Sequence, residues 1–261
     1  MGSKKGEIMI KIIAAIVIIF LIVPVFIIIP LSFNGADYLC FPPKGFSMKW
    51  YQEFFGDSQW VKALTKSLKV AISTTVVSLV LGTMAAEGLR KIQWKGKSIL
   101  QEFFMMPLYI PVIILAIAIY NFESGVHLTS SFPGLVLAHC VLAIPYVVST
   151  MSASLNGINQ NIENAALNLG ASGFRVFFEI TLPMIRPAIV SSAIFAFVTS
   201  FDELIISMFI CGVSGTTLPK KIWDCVRSEI DPTITAIAAI VIIVLTVVML
   251  INTLTGSKEK R

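Results

Sequence analysis

Charge is what this sequence has least of. Only 13% of its 261 residues are Asp, Glu, Lys or Arg, whereas a soluble domain carries roughly 25%. The 56% that are hydrophobic fall in blocks of about 20 instead of being dispersed by a helical or strand period, so water is excluded as their solvent. There are two histidines and four cysteines. Cys40, Cys140, Cys211 and Cys225 have no CxxC or other metal spacing, and His127 and His139 have no second ligand at a useful distance, which argues against a metal centre. Cys211 and Cys225 both fall toward one predicted face, and either a pair or two free packing thiols fits that placement. The alternating ten-residue pattern of a membrane barrel is missing. So is a basic stripe interleaved with aromatics, and nucleic acid is not an expected partner despite the formal charge of +5. Gly96-Lys97-Ser98 imitates the end of a phosphate-binding loop, but Lys91 stands where its first glycine belongs and no strand precedes it. No cofactor is therefore expected on this chain.

What is present is a set of apolar runs at 11–33, 66–88, 100–121, 132–152, 187–211 and 233–255. Each can cross a hydrocarbon core of about 30 Å as a helix rising about 1.5 Å per residue. Backbone groups unsatisfied in lipid are costly, so helices are the expected form and an all-α integral membrane protein follows. The first run comes after a short Lys-bearing start. It is long for a signal-peptide core, has no Ala-x-Ala exit and contains Pro24 and Pro30, which favours a retained span over a cleaved leader. With the N-terminus inside, the inner side holds Lys4, Lys5, Lys11, Arg90, Lys91, Lys95, Lys97, Arg175, Arg186, Lys258, Lys260 and Arg261. The outer loops hold fewer cations, and acids match them. Both termini are expected in the cytoplasm.

Two connections are longer than turns. The outer one, 34–65, contains Phe41-Pro42-Pro43-Lys44-Gly45-Phe46-Ser47 and then Trp50, Tyr51, Phe54, Phe55 and Trp60, which suits a short helix at the membrane interface. The inner one, 153–186, reads Glu163-Asn164-Ala165-Ala166-Leu167-Asn168-Leu169-Gly170-Ala171 and ends Ile180-Thr181-Leu182-Pro183. Ala165, Ala166 and Leu169 make a compact apolar edge on a short helix, and Gly170 is its natural stop. A second short helix is expected from Ser172 to Ile180, ended by Pro183. Together they would form a blunt knob whose small residues permit close docking.

These residues resemble the cytoplasmic loop motif of binding-protein-dependent ABC importer permeases, Glu-Ala-Ala, then Gly, then Ile-x-Leu-Pro. Gly45-Phe46-Ser47, Trp50-Tyr51, Pro107-Leu108, the stretch 135–146 and Ser200-Phe201-Asp202-Glu203 extend the resemblance to the spermidine/putrescine type along the chain. One departure is plain: Asn164 stands in place of the motif glutamate, with Glu163 one position earlier. The resemblance implies a single permease domain over 1–261, a six-transmembrane-helix bundle of the type I ABC importer permease class. It implies that Glu163, Asn164, Ala165, Ala166, Leu169, Gly170, Ala171, Leu182 and Pro183 couple to an ATPase. The implied partners are a second homologous permease subunit, two cytoplasmic ATPase subunits carrying ATP and Mg, a periplasmic or extracellular solute-binding protein, membrane lipid and a small cationic solute. The loop Gly212–Pro219 would touch the binding protein.

Asp202 and Glu203 are the remaining residues with chemical content. Taken as one helix from Pro187, the fifth span puts Glu203 about 24 Å along its axis, in the outer third of the bilayer. Ionisable groups at such depth face a cavity or a partner. Ala188, Ser192, Ala196, Thr199, Glu203 and Ser207 recur at helical spacing as one small, polar stripe. Thr199, Asp202 and Glu203 are accordingly candidates for lining a cation route. A bond from the acids to a neighbouring helix or partner permease stands as the alternative. Lys69 and Glu87 are expected to snorkel to the two surfaces. Adjacent acids on a helix diverge by about 100°, which counts against an intramembrane enzyme; a non-transporting scaffold is the other class of protein open.

Overall fold

The computed structural model describes residues 4–212, 215–228 and 231–256. Val213 and Ser214 of the outer loop, Glu229, and the cations Lys258, Lys260 and Arg261 counted for orientation lie outside the described residues. The elements are α1 Lys4–Leu31, α2 Lys49–Gly56, α3 Ser58–Lys91, α4 Lys97–Tyr109, α5 Val112–Gly125, α6 Phe132–Asn156, α7 Gln160–Asn168, α8 Gly173–Val176, a π-turn Phe177–Thr181, α9 Leu182–Met184, α10 Arg186–Phe201, α11 Ile205–Ile210, α12 Leu218–Ser228 and α13 Thr233–Gly256. Among the described residues there is no strand, only an isolated bridge between Asn34 and Phe46.

Helices α1, α3 and α6 are each long and apolar enough to cross a bilayer. α13 adds an apolar stretch from Thr233 to Val247. The expected third span is a bent pair instead of a straight rod, and a second bend lies just before the expected fifth span. α4 and α5 meet at 104°, and the segment Gly173–Met184 meets α10 at 75°. The first bend has a local cause: Ile110 is extended (ψ 131°) before Pro111, as the residue preceding a proline tends to be, and Pro111 has no N–H to continue the ladder.

The chain forms two compact units. The first joins 1–61 to 222–261. In it α13 packs on α1 and α2, and the outer connection is pinned by Asn34. The Asn34 carbonyl accepts from Trp50 Nε1 at 2.7 Å, its side-chain oxygen accepts from the Lys44 N–H at 2.9 Å, and Ser32 and Tyr51 hydroxyls pair at 2.7 Å. The short helix expected here exists as α2, with Trp50 and Phe54 buried in protein and Phe55 exposed. The apolar side chains of α1 from Ile8 to Val23 are exposed, as suits a helix whose surroundings are lipid.

The second unit is 62–221, centred on α6, which packs along α10 and also touches α4, α5 and α11. Gly82 lets α3 approach α6: a Cβ there would lie 2.6 Å from Val147 Cγ1. Ala143, Val147, Met151 and Leu155 of α6 bury themselves with Ala86, Ile185 and Ala196. Cys40, Cys140 and Cys211 are in no disulfide.

Candidate functional site

The inner loop is built from three helix caps in series. Asn159 opens α7 by accepting from the Asn161 N–H at 3.0 Å. At the other end Ala171 N–H bonds Ala166 carbonyl (3.1 Å) and Gly170 N–H bonds Leu167 carbonyl (2.9 Å), with Gly170 at φ +88°. That is a Schellman stop, and it needs the left-handed residue that glycine supplies without strain. Ser172 Oγ then accepts from the Arg175 N–H at 3.3 Å and starts α8. The second short helix differs from expectation in its far end. It runs through the π-turn into α9, and Pro183 sits in the first turn of α9.

These caps divide the expected coupling residues into two groups. Asn164, Ala165, Leu169 and Gly170 are exposed, Leu169 at 89%, and Ala166 and Ala171 are half-buried. Leu182 packs against the buried cluster around Met151 and Leu155, with Pro183 half-buried beside it. Glu163 turns inward. Its carboxylate accepts from Arg90 Nη2 at 2.8 and 2.9 Å and from Thr181 Oγ1 at 2.5 Å. Arg90 also donates to Glu87 through Nε and Nη2, both at 2.9 Å, and Lys91 adds a further ion pair to Glu87 at 2.8 Å. Glu87 therefore does not snorkel to water; it is paired within the protein. Burial alone would push the Glu163 carboxyl up, but the bonds from Arg90 and Thr181 outweigh it and hold the group below its usual value. Arg90, desolvated but bonded to both carboxylates, is raised. Glu163 thus locks α7 to the end of α3 and to the Ile-Thr-Leu-Pro segment. Spacing alone did not reveal this, because Arg90 is 73 residues away.

The acid pair sits where the fifth span is interrupted. α10 ends at Phe201 and α11 begins at Ile205, so the continuous-helix depth assigned to Glu203 does not hold. Asp202 is exposed and Glu203 half-buried. Glu203 Oε1 accepts from the Ile206 N–H at 2.9 Å, capping the first turn of α11. This oxygen is bonded within its own chain, three residues on. Ser192, Ala196 and Ser207 of the small, polar stripe are buried, Ala196 in the cluster with α6, while Thr199 is half-buried. Beneath the break lies His139 of α6, 1% exposed, with Nδ1 2.9 Å from Ser200 Oγ and Nε2 3.3 Å from Ser207 Oγ. Sequence reasoning tested this histidine only for metals. Its signal was a polar ring in an apolar helix with serines flanking the acids.

Residues 78–260 match the family described as binding-protein-dependent transport system inner membrane component. The chain is 33% identical over 205 residues to the putrescine transport system permease protein PotI of Escherichia coli, covering 76% of this chain and 73% of the relative. It is 29% identical over 216 residues to the spermidine/putrescine transport system permease protein PotC of Haemophilus influenzae, covering 83% and 84%. A crystal structure of a bacterial ABC transporter involved in the import of the acidic polysaccharide alginate has a chain of the same fold, with TM-score 0.71 at 14% identity, covering 98% of both chains. The loop motif, the membrane helices and these similarities agree: the chain belongs to the inner membrane components of binding-protein-dependent ABC importers, transport subunits of the membrane and not enzymes, whose ATP is hydrolysed by a separate subunit.

Proposed function

We propose that this chain forms half of the route of a polyamine importer, with both termini in the cytoplasm. It would pair with a second homologous permease and seat its inner loop on one of two cytoplasmic ATPase subunits, where ATP and Mg bind. A solute-binding protein would deliver a small cation such as putrescine or spermidine from outside. The coupling face in this reading is the exposed part of the loop, Asn164, Ala165, Leu169 and Gly170, while Glu163, Leu182 and Pro183 brace it from behind.

The observation that carries the solute reading is the placement of Asp202 and Glu203 in a helix break, one exposed and the other half-buried with one oxygen committed to capping. An interrupted helix at membrane depth is tolerated where it lines a cavity or is buried in protein, and acids there mark a cation path. The names of the similar permeases, putrescine and spermidine transporters, support the same class.

The test is uptake of labelled putrescine, spermidine, a monoamine and a neutral diol into liposomes holding the full importer. Asp202→Asn and Glu203→Gln should each lower diamine uptake at least tenfold, while the yield of assembled complex stays level. Gln keeps the oxygen that caps α11, so the cap survives the change. Diamine uptake near wild type in both variants would remove the acids from the route.

A further inference from the structure

The hydrogen positions around His139 follow from proton counting. Ser207 Oγ donates its single proton to the carbonyl of Glu203 at 3.0 Å. Toward the ring, then, Ser207 accepts only, and Nε2 of His139 carries the hydrogen. A neutral imidazole with Nε2 protonated leaves Nδ1 as an acceptor, so the Ser200 hydroxyl donates to it. The result is a directed chain from Ser200 through His139 and Ser207 to the Glu203 carbonyl. Ser200 belongs to the last turn of α10 and Ser207 to the first turn of α11, on either side of the break. His139 itself comes from α6, the helix against which both pack.

We infer that His139 is the positioning residue of the acid pair: its ring bridges the two helix ends and so fixes the direction in which Asp202 and Glu203 leave the break. A buried polar ring in an apolar helix is costly unless both nitrogens are satisfied, and here both are. A rigid ring with one donor and one acceptor suits two hydroxyls belonging to different helices. The bridge leaves the solute untouched, since His139 is buried. The strut adds a polar tie to the packing of both helix ends on α6, and a misplacement of a charge by about 1 Å is enough to weaken a binding geometry severely. This inference rests on the reading of the acid pair as a cation site.

The experiment measures labelled putrescine transported per ATP hydrolysed by the full importer in liposomes, for His139→Leu, His139→Gln, Ser207→Ala, Asp202→Asn and Glu203→Gln. His139→Leu and Ser207→Ala should lower the ratio roughly tenfold while assembly and ATP hydrolysis stay within about twofold of wild type. His139→Gln, which retains a donor at the reach of Nε2, should recover to within roughly threefold of wild type. Should His139→Leu fail to assemble, Ser207→Ala, which removes a single oxygen, carries the test. An unchanged ratio in Ser207→Ala and His139→Leu overturns the inference, as does a Gln variant no better than Leu, or uptake and hydrolysis falling in step. If the acid variants keep the wild-type ratio, the cation-site reading fails first and the positioning role with it. If they lose it and the His139 and Ser207 variants do not, only the positioning role is lost.

Discussion

Arg90 and Glu163, 73 residues apart, meet through two bonds of 2.8 and 2.9 Å from one guanidinium nitrogen, and their side chains are only 6% and 11% exposed. The pair ties the end of α3 to the first turn of α7. A buried ion pair is weak evidence for stability, but removing one partner strands the other. Arg90→Met should therefore destabilise the protein by about 3 kcal/mol, seen as a lower thermal midpoint in detergent. A midpoint within a degree of wild type would count against the brace.

The same pair predicts an acid limb. The folded Glu163 has a pKa below its unfolded value, so its contribution to stability is complete above the ordinary glutamate range near 4.3 and is lost as the pH falls through the lower folded value. Glu163→Gln should be less stable than wild type at neutral pH, with the gap narrowing as the solution is acidified below about pH 4. Thermal midpoints of both proteins across that range are the measurement; parallel curves would contradict the assignment.

Gly170 is required for its backbone and not for room, since a Cβ there meets nothing within 4 Å while φ is +88°. Gly170→Ala should cost about 1 kcal/mol and should loosen the turn between α7 and α8. The expected result is weaker coupling of putrescine uptake to ATP hydrolysis in a complex that still assembles. Equal coupling would show that the left-handed turn is dispensable.

Leu169 is 89% exposed at the tip of the loop, where an apolar side chain gains nothing within the chain itself. Leu169→Asp should leave the thermal midpoint of the isolated permease within experimental error and abolish co-purification of an ATPase subunit. Loss of both together would place Leu169 in the fold instead of the docking face.

Gly82 has the opposite character. A Cβ would lie 2.6 Å from Val147 Cγ1 and 2.8 Å from Val147 Cβ, so Gly82→Ala should destabilise by about 1–3 kcal/mol through overpacking of α3 on α6. Val147→Ala in the same chain should recover part of the loss, and a double-mutant cycle on thermal stability reads the coupling directly.

The order of amino acids was enough for the class and for the punctuation. Blocks of apolar residues at bilayer length force helices, because lipid offers the backbone no hydrogen bonds. Gly170 and Ser172 announce a stop and a start through conformational and capping preferences that act within a few residues. The loop motif reads along the chain for the same reason: its parts are local. What the fold alone decided involves groups distant in sequence. Glu163 points inward because Arg90 comes to it, and His139 finds Ser200 and Ser207 because α6 packs along the broken span. The break itself moved Glu203 out of the helical stripe on which periodicity had placed it. Helical spacing tells where a side chain lies on a continuous helix; only packing tells whether the helix continues and who waits on the other side.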